Sequence, residues 1–322
     1  MGELVVLPTP FPVGPVNVWV LRGEPLTLVD AGPHTPEALA ALEAGFAALG
    51  LRLEDVELLV LTHQHSDHVG QAALVRSRSG CTVAAHELLV DRLPALREMQ
   101  DEELAYADAV MRLHGVADDA REQLLAIYES RHRFAEPVEV DVALGEGDVV
   151  EAGGRRLRVS FRPGHSPTDT LLSDEDARVA YAGDHLLSHI SSNPLVHRPF
   201  ADDADPRRRP SALGSYLDSL ERTAAEPHEL LLAGHGDVIR DHAALAAERI
   251  RLHHDRAAQV RDVLAAGPAT AGAIARGLWP GVDVSQTYLA LCEVLGALDL
   301  LEREDAAGSV EGDDGIAVYA LR

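Results

Sequence analysis

Hydrophobic and polar residues change period several times along this chain, and each change predicts an element. Short apolar segments at 4–7, 17–21 and 26–30, punctuated by Pro, Gly and Asn, predict a strand meander. Residues 36–49 follow a helical pattern that Gly50 stops. The apolar run 58–61 has strand length and ends at Thr62-His63-Gln64-His65-Ser66-Asp67-His68. A helix is expected after Gly70 and a strand at 82–84. Residues 88–134 are charged, helical in pattern and poor in strand formers. Leu104, Ala107 and Met111 fit one helix face, and Arg121, Leu124, Leu125 and Tyr128 another. This predicts a helical insertion over about 88–135, either a lid over a site or a plain surface hairpin.

Strand signals resume at 138–142, 149–150, 157–161, 171–172 and 179–181. A Pro- and charge-rich loop covers 193–210, a helix is expected at 211–223, and the apolar run 230–233 ends at Gly234-His235-Gly236. The texture changes past residue 243. A long helix to 264, a Thr-capped helix at 270–278 and a helix at 285–299 with Leu291, Val294, Leu295 and Leu298 on one face are expected. Strands near 300–303 and 316–321, joined by a Gly- and Asp-rich tip, would complete a winged-helix-like module. Two domains are therefore expected, 1–245 and 246–322.

Composition narrows the class. With 322 residues, 46% of them hydrophobic, the chain can bury a large core. Acidic residues outnumber basic ones by 52 to 28, for a net charge of −24, and every basic residue is Arg. Such a chain repels polyphosphates at long range, which disfavours nucleic acid as a partner. Arg207, Arg208 and Arg209 form a local cluster, read as loop solvation or as an anchor for an anion. Cys81 and Cys292 stand far apart, as buried thiols rather than a disulfide framework. No basic-then-apolar leader and no apolar run of about 20 residues is apparent, so a cytoplasmic protein with no membrane association is expected.

The chemistry concentrates in H-x-H-x-D-H at residues 63–68. Imidazole nitrogen and carboxylate oxygen are suited to zinc, and four such side chains leave one short turn anchored by a buried strand. His165 in Pro-Gly-His-Ser, Asp184 in Ala-Gly-Asp-His and His235 in Gly-His-Gly each follow an expected strand, with Gly allowing close backbone approach. Each alone is an ordinary turn; in this order they form a metal-ligand set.

At these residues the chain resembles the metallo-β-lactamase superfamily, over about residues 1–245. The resemblance implies an α/β fold, a four-layer αβ/βα sandwich with metals at one edge. It implies that His63, His65 and His165 hold one ion, that Asp67, His68 and His235 hold a second, and that Asp184 bridges them. Asp30 would support the metal loop. The cofactors implied are two divalent metal ions, Zn²⁺ first, with Fe or Mn as alternatives. A metal-bridging hydroxide would attack a thioester, ester or lactone, a small-molecule substrate, with Asp67 orienting it. His65 stands where redox di-iron relatives carry a carboxylate, and Asp184 where true β-lactamases often carry Cys, which points to the glyoxalase II and lactonase side. A mononuclear iron dioxygenase branch shares much of the motif. The loop around Arg207 lacks the Lys-rich pattern of glutathione-binding glyoxalases.

Residues 246–322, through Tyr288-Leu289-Ala290-Leu291 and Glu293-Val294-Leu295-Gly296, resemble the winged-helix extension of the beta-lactamase-like protein 2 group. The span 285–302 holds no basic residue but Glu293, Asp299 and Glu302, so a packing or homodimer role is favoured over DNA binding. Among other histidines, His185, His189 and His197 are read as facing the cleft or as solvated loop residues, with His189 in the first case a catalytic substrate contact or proton donor. His114 and His132 are read as site or solvent residues, His86 as structural, and His253 and His254 as surface. Two other readings remain: a phosphodiesterase or endoribonuclease with the same dinuclear site, and a winged-helix regulator with structural metals.

Overall fold

The computed structural model describes residues 2–200, 204–312 and 315–322. Six strands form the first sheet in chain order: β1 (Glu3–Leu7), β2 (Val16–Leu21), β3 (Thr27–Val29), β4 (Leu58–Val60), β5 (Thr82–His86) and β6 (Val142–Leu144). The first three strands run as an antiparallel meander and β3 to β6 are parallel. The second sheet has the order β11 (Leu230–Ala233), β10 (Val179–Gly183), β9 (Thr170–Asp174), β8 (Arg155–Phe161) and β7 (Val149–Ala152). Only β10 and β11 are parallel in it.

Strand alternation builds the layers. Trp19, Leu21, Val29, Leu58 and Val60 meet Leu157, Leu172, Val179, Tyr181 and Leu232 between the sheets. The alternate residues Val18, Val20, Leu28 and Leu59 face outward into a core with α1 (Pro36–Ala48). Thr35 caps that helix through Ala38 N, and Ala38, Leu42 and Phe46 are its buried stripe. On the far side, Ala180, Ala182 and Leu231 pack with α6 (Ala212–Ala224), α7 (His242–Ala265) and α9 (Thr287–Arg303). With helices on both outer faces, the central strands are buried throughout, hence their continuous apolar runs.

The expected insertion is helical: α4 (Leu96–Leu113) and α5 (Asp118–Arg131), after the short α2 (Ser66–Val69) and α3 (Ala72–Ser79) of the first half. It is not a plain surface hairpin, because α4 and α5 both pack on α9 and help wall a cavity. The chain ends in α8 (Ala271–Leu278), α9 and a hairpin of β12 (Ala307–Glu311) and β13 (Ala317–Leu321). Residues 201–203 of the Pro-rich loop and 313–314 at the expected hairpin tip lie outside the described residues.

Four expectations change. Residues 300–303 continue α9, because Leu300 and Leu301 extend its buried stripe; the hairpin starts only after Asp305, at φ 57°. Strand β6 begins at Val142, since Val138 N bonds Leu93 O instead of a neighbouring strand. Arg209 is not solvated: it makes a two-bond pair with Asp299 of α9, at 2.9 and 2.6 Å. Residues 284–303 are long and apolar enough to cross a membrane by length and composition, contrary to the expectation of no such run. In this structure the apolar side of that helix, including Leu291, Val294, Leu295 and Leu298, packs on neighbouring helices.

Candidate metal centre

Three loops at strand ends bring the site together. The turn after β4 carries His63 and His65 and runs into α2, whose first turn holds Asp67 and His68. The loop after β8 carries His165, and the parallel ends of β10 and β11 carry Asp184 and His235. Gly234 N donates to Gly183 O at 2.7 Å, fixing those two ends against each other. A Cβ on Gly234 would sit 2.4 Å from Asp184 Oδ1 and 2.6 Å from His68 Cε1, so this position accepts only glycine.

Hydrogen bonds set which imidazole nitrogen faces inward. Asp30 accepts from Thr62 N, from Thr62 Oγ1 and from His68 Nδ1, each at 2.8 Å. With its hydroxyl proton spent on Asp30, Thr62 Oγ1 accepts from His63 Nδ1 at 3.1 Å. His165 Nδ1 donates to Asn193 O at 3.2 Å and His235 Nδ1 to Pro15 O at 2.8 Å. Four rings are thereby left with Nε2 turned inward. Asp30 thus takes the supporting role expected of it.

The inward nitrogens converge on two points. His65 Nδ1 lies 3.1 Å from His63 Nε2 and 3.0 Å from His165 Nε2. Asp184 stands 3.3 Å from His68 Nε2, 3.4 Å from His235 Nε2 and 3.8 Å from His165 Nε2. Asp67 Oδ2 is 3.3 Å from His235 Nε2. The sets His63/His65/His165, His63/His68/Asp184 and Asp67/His68/His235 each hold ligand atoms within 4.8 Å of one another. His68 Nε2, Asp184 Oδ1 and His235 Nε2 are buried and face one another or Asp67 at 3.3–3.4 Å without a well-formed hydrogen bond, an arrangement that a cation between them would satisfy. The residues therefore fit a pair of divalent ions.

Electrostatics agree with that fit. Burial pushes the His63 and His65 imidazoles well below their ordinary value, towards the neutral ligand form. Burial opposes a charge on His68 too, but Asp184 and Asp30 outweigh it and hold His68 well above the usual range. Burial likewise opposes the Asp184 carboxylate, yet His235 and His68 keep it well below the usual range.

The cluster opens into a cavity of about 770 Å³ whose wall includes His65, Asp67, His165 and Asp184. His189, expected to face the cleft, is exposed, its Nε2 3.4 Å from Val13 O, and does not line the cavity. His197 does: its Nδ1 donates to Glu103 Oε1 at 2.9 Å and its ring lies 5.4 Å from that of His65. His132 lines the same cavity, while His114 is buried against Tyr319. His185 is buried on Thr223, and His86 caps a turn and stacks on Phe161. His253, expected at the surface, is buried edge-on against Tyr216. Sequence reasoning missed Asn17, whose amide donates to Ala233 O and Gly236 O and clamps the His235 loop. A polar residue inside an apolar strand was the available signal.

Comparison with known proteins gives the arrangement its lineage. The sequence model of the Metallo-beta-lactamase superfamily matches residues 11–235. The chain belongs to this superfamily. As a metallo-β-lactamase-superfamily member it is similar to the probable metallo-hydrolase YqjP of Bacillus subtilis (strain 168), at 32% identity over 94% of this chain and 92% of the relative. The crystal structure of a metallo-beta-lactamase family protein from Thermus thermophilus aligns with a TM-score of 0.82 and 30% identity, over 99% of this chain and 98% of that one. A hydroxyacylglutathione hydrolase of Rhodopseudomonas palustris (strain BisA53) is 27% identical over 53% of this chain and 49% of the relative. Superfamily membership and the convergent ligand set together make this protein a metal-dependent hydrolase with a dinuclear site.

Proposed function

We propose that this enzyme hydrolyses acyl thioesters, with activated esters and lactones as related substrates. The observation that carries the reading is the cavity, which joins the metal cluster to a largely apolar wall including Leu104, Leu187, Ile190, Leu195 and Leu252. Such a wall suits an acyl chain. The hydroxyacylglutathione hydrolase similarity supports thioesters as the substrate class.

His63, His65 and His165 would hold one ion and Asp67, His68 and His235 the other, with Asp184 between them. Imidazole and carboxylate donors favour Zn²⁺. Two such ions supply the charge that polarises a scissile carbonyl and acidifies the attacking water. The chain's own part is to position and exclude. Asp67 and Asp184 line the cavity and can accept a proton from that water. The water oxygen bonds to the acyl carbon, the C–S bond breaks, and sulfur leaves with its electron pair. A thiolate leaves without protonation, so no dedicated acid is required.

A nuclease reading finds less support. Among the described residues only two arginines, Arg131 and Arg256, line the cavity, and the chain has no Lys. The helices and hairpin after residue 242 fit a winged-helix reading of the extension. Its acidic α9, buried and paired to Arg209 through Asp299, favours packing over DNA contact. The test is to assay zinc-, iron- and manganese-loaded protein against thioesters, lactones, phosphodiesters and RNA. Thioester turnover is expected; selective RNA or phosphodiester cleavage would overturn the reading.

A further inference from the structure

Arg131 ends α5 on the cavity wall. Its guanidinium lies 4.9 Å from the Tyr128 ring centroid and 5.7 Å from that of Phe11, the latter itself set edge-on to Phe134. A cation–π contact consumes none of a guanidinium's N–H hydrogen bonds, so these donors stay available to a ligand. Among the described residues, no carboxylate pairs with Arg131 and no side-chain hydrogen bond uses those donors.

A structural arginine looks different in this protein. Arg121, on the same helix, is spent on Asp108 at 2.8 Å and Asp118 at 2.5 Å. Arg256, the other arginine of the cavity wall, faces Glu293 at 3.9 Å and donates to Gln259 at 2.6 Å. With 52 acidic residues against 28 basic ones, a half-buried guanidinium without an acid stands out. Nor do the cavity's carboxylates answer it. Glu103 is held by His197 and by Arg198 N, and Asp67 and Asp184 belong to the metal centre. Burial pushes the Glu293 carboxyl up, towards its neutral form.

We propose that Arg131, framed by Tyr128 and Phe11, is an anion subsite that holds a phosphate or carboxylate of the substrate away from the metal centre. The inference rests on the thioesterase reading and deepens it: the preferred substrates are anionic acyl thioesters. An in-plane guanidinium fork matches either oxyanion. In a protein that repels anions at long range, such a local cation is what lets one dock.

The test compares butyryl thioesters of coenzyme A (phosphate-bearing), glutathione (carboxylate-bearing) and N-acetylcysteamine (neutral) on metal-loaded wild type, Arg131→Met and Arg131→Lys. Arg131→Met should raise KM for one anionic thioester by about tenfold or more, with kcat unchanged, as loss of a charge-assisted hydrogen bond requires. The neutral thioester should respond to neither variant, and Arg131→Lys should restore part of the loss. Which anionic thioester responds identifies the oxyanion. An equal KM change on the neutral thioester, or none on either anionic one, would overturn the subsite. Calorimetric binding of the S-methyl thioethers of coenzyme A and glutathione separates this from the function reading. Binding that weakens in Arg131→Met without any turnover would support the subsite and sink the thioesterase; no difference from wild type would sink the subsite.

Discussion

His68 Nδ1 donates to Asp30 Oδ2 at 2.8 Å, joining a metal-loop histidine to a carboxylate 38 residues earlier in the chain. Asp30 sits at φ 62°, a conformation that Asn also tolerates. Asp30→Asn therefore removes the charge and leaves the backbone undisturbed. Metal affinity should fall by about 10–100-fold, as loss of such supporting contacts does elsewhere. Competitive chelator titration measures it, and activity should return in excess metal.

Asp184 faces three of the inward imidazole nitrogens. Asp184→Ala should lose one of two metal equivalents by elemental analysis, together with nearly all turnover. Full activity in that variant would rule out a dinuclear mechanism.

Metal binding should release protons and weaken in acid. In the metal-free protein burial disfavours the His68 charge, but Asp184 and Asp30 hold its proton to well above the ordinary imidazole value. An ion must displace that proton. Calorimetry in buffers of differing ionisation enthalpy should show net proton release, and Kd should rise as pH falls. A pH-independent Kd would contradict this.

Glu226 braces the segment leading to His165. It accepts from Arg162 and lies 2.7 Å from His228 Nε2. Burial opposes its charge, but His228 and Arg162 outweigh that and bring its carboxyl from 4.5 down to about 2. A depressed carboxylate contributes stability that is present in full above its unfolded value and is lost as pH falls through the folded one. Melts of metal-free wild type should therefore lose stability between about pH 4.5 and 2. Glu226→Gln should be less stable at neutral pH and flatter across that window.

Much of this protein was legible one residue at a time. The metal ligands sit where apolar runs stop, at Leu61, Phe161, Gly183 and Ala233, because a buried strand end is a rigid place to mount a ligand. The helix cap at Thr270 was likewise readable, since capping is a local hydrogen bond. The end of α9 was misread because a run such as Leu298 to Leu301 suits a buried helix and a buried strand equally.

What sequence determined by itself was most of the strand-and-helix order and the H-x-H-x-D-H turn at residues 63–68, since each depends on residue type and short-range spacing; resemblance to the superfamily implied the rest of the ligand set and the hydrolytic chemistry. Tertiary structure alone decided that Pro15 O orients the His235 ring, that Asn17 clamps the His235 loop, that His197 rather than His189 lines the cavity, and that Arg209 pairs with Asp299. Those contacts join residues 90 or more positions apart. Local propensity carries no signal over such distances, because only the packing of complete layers brings the partners together.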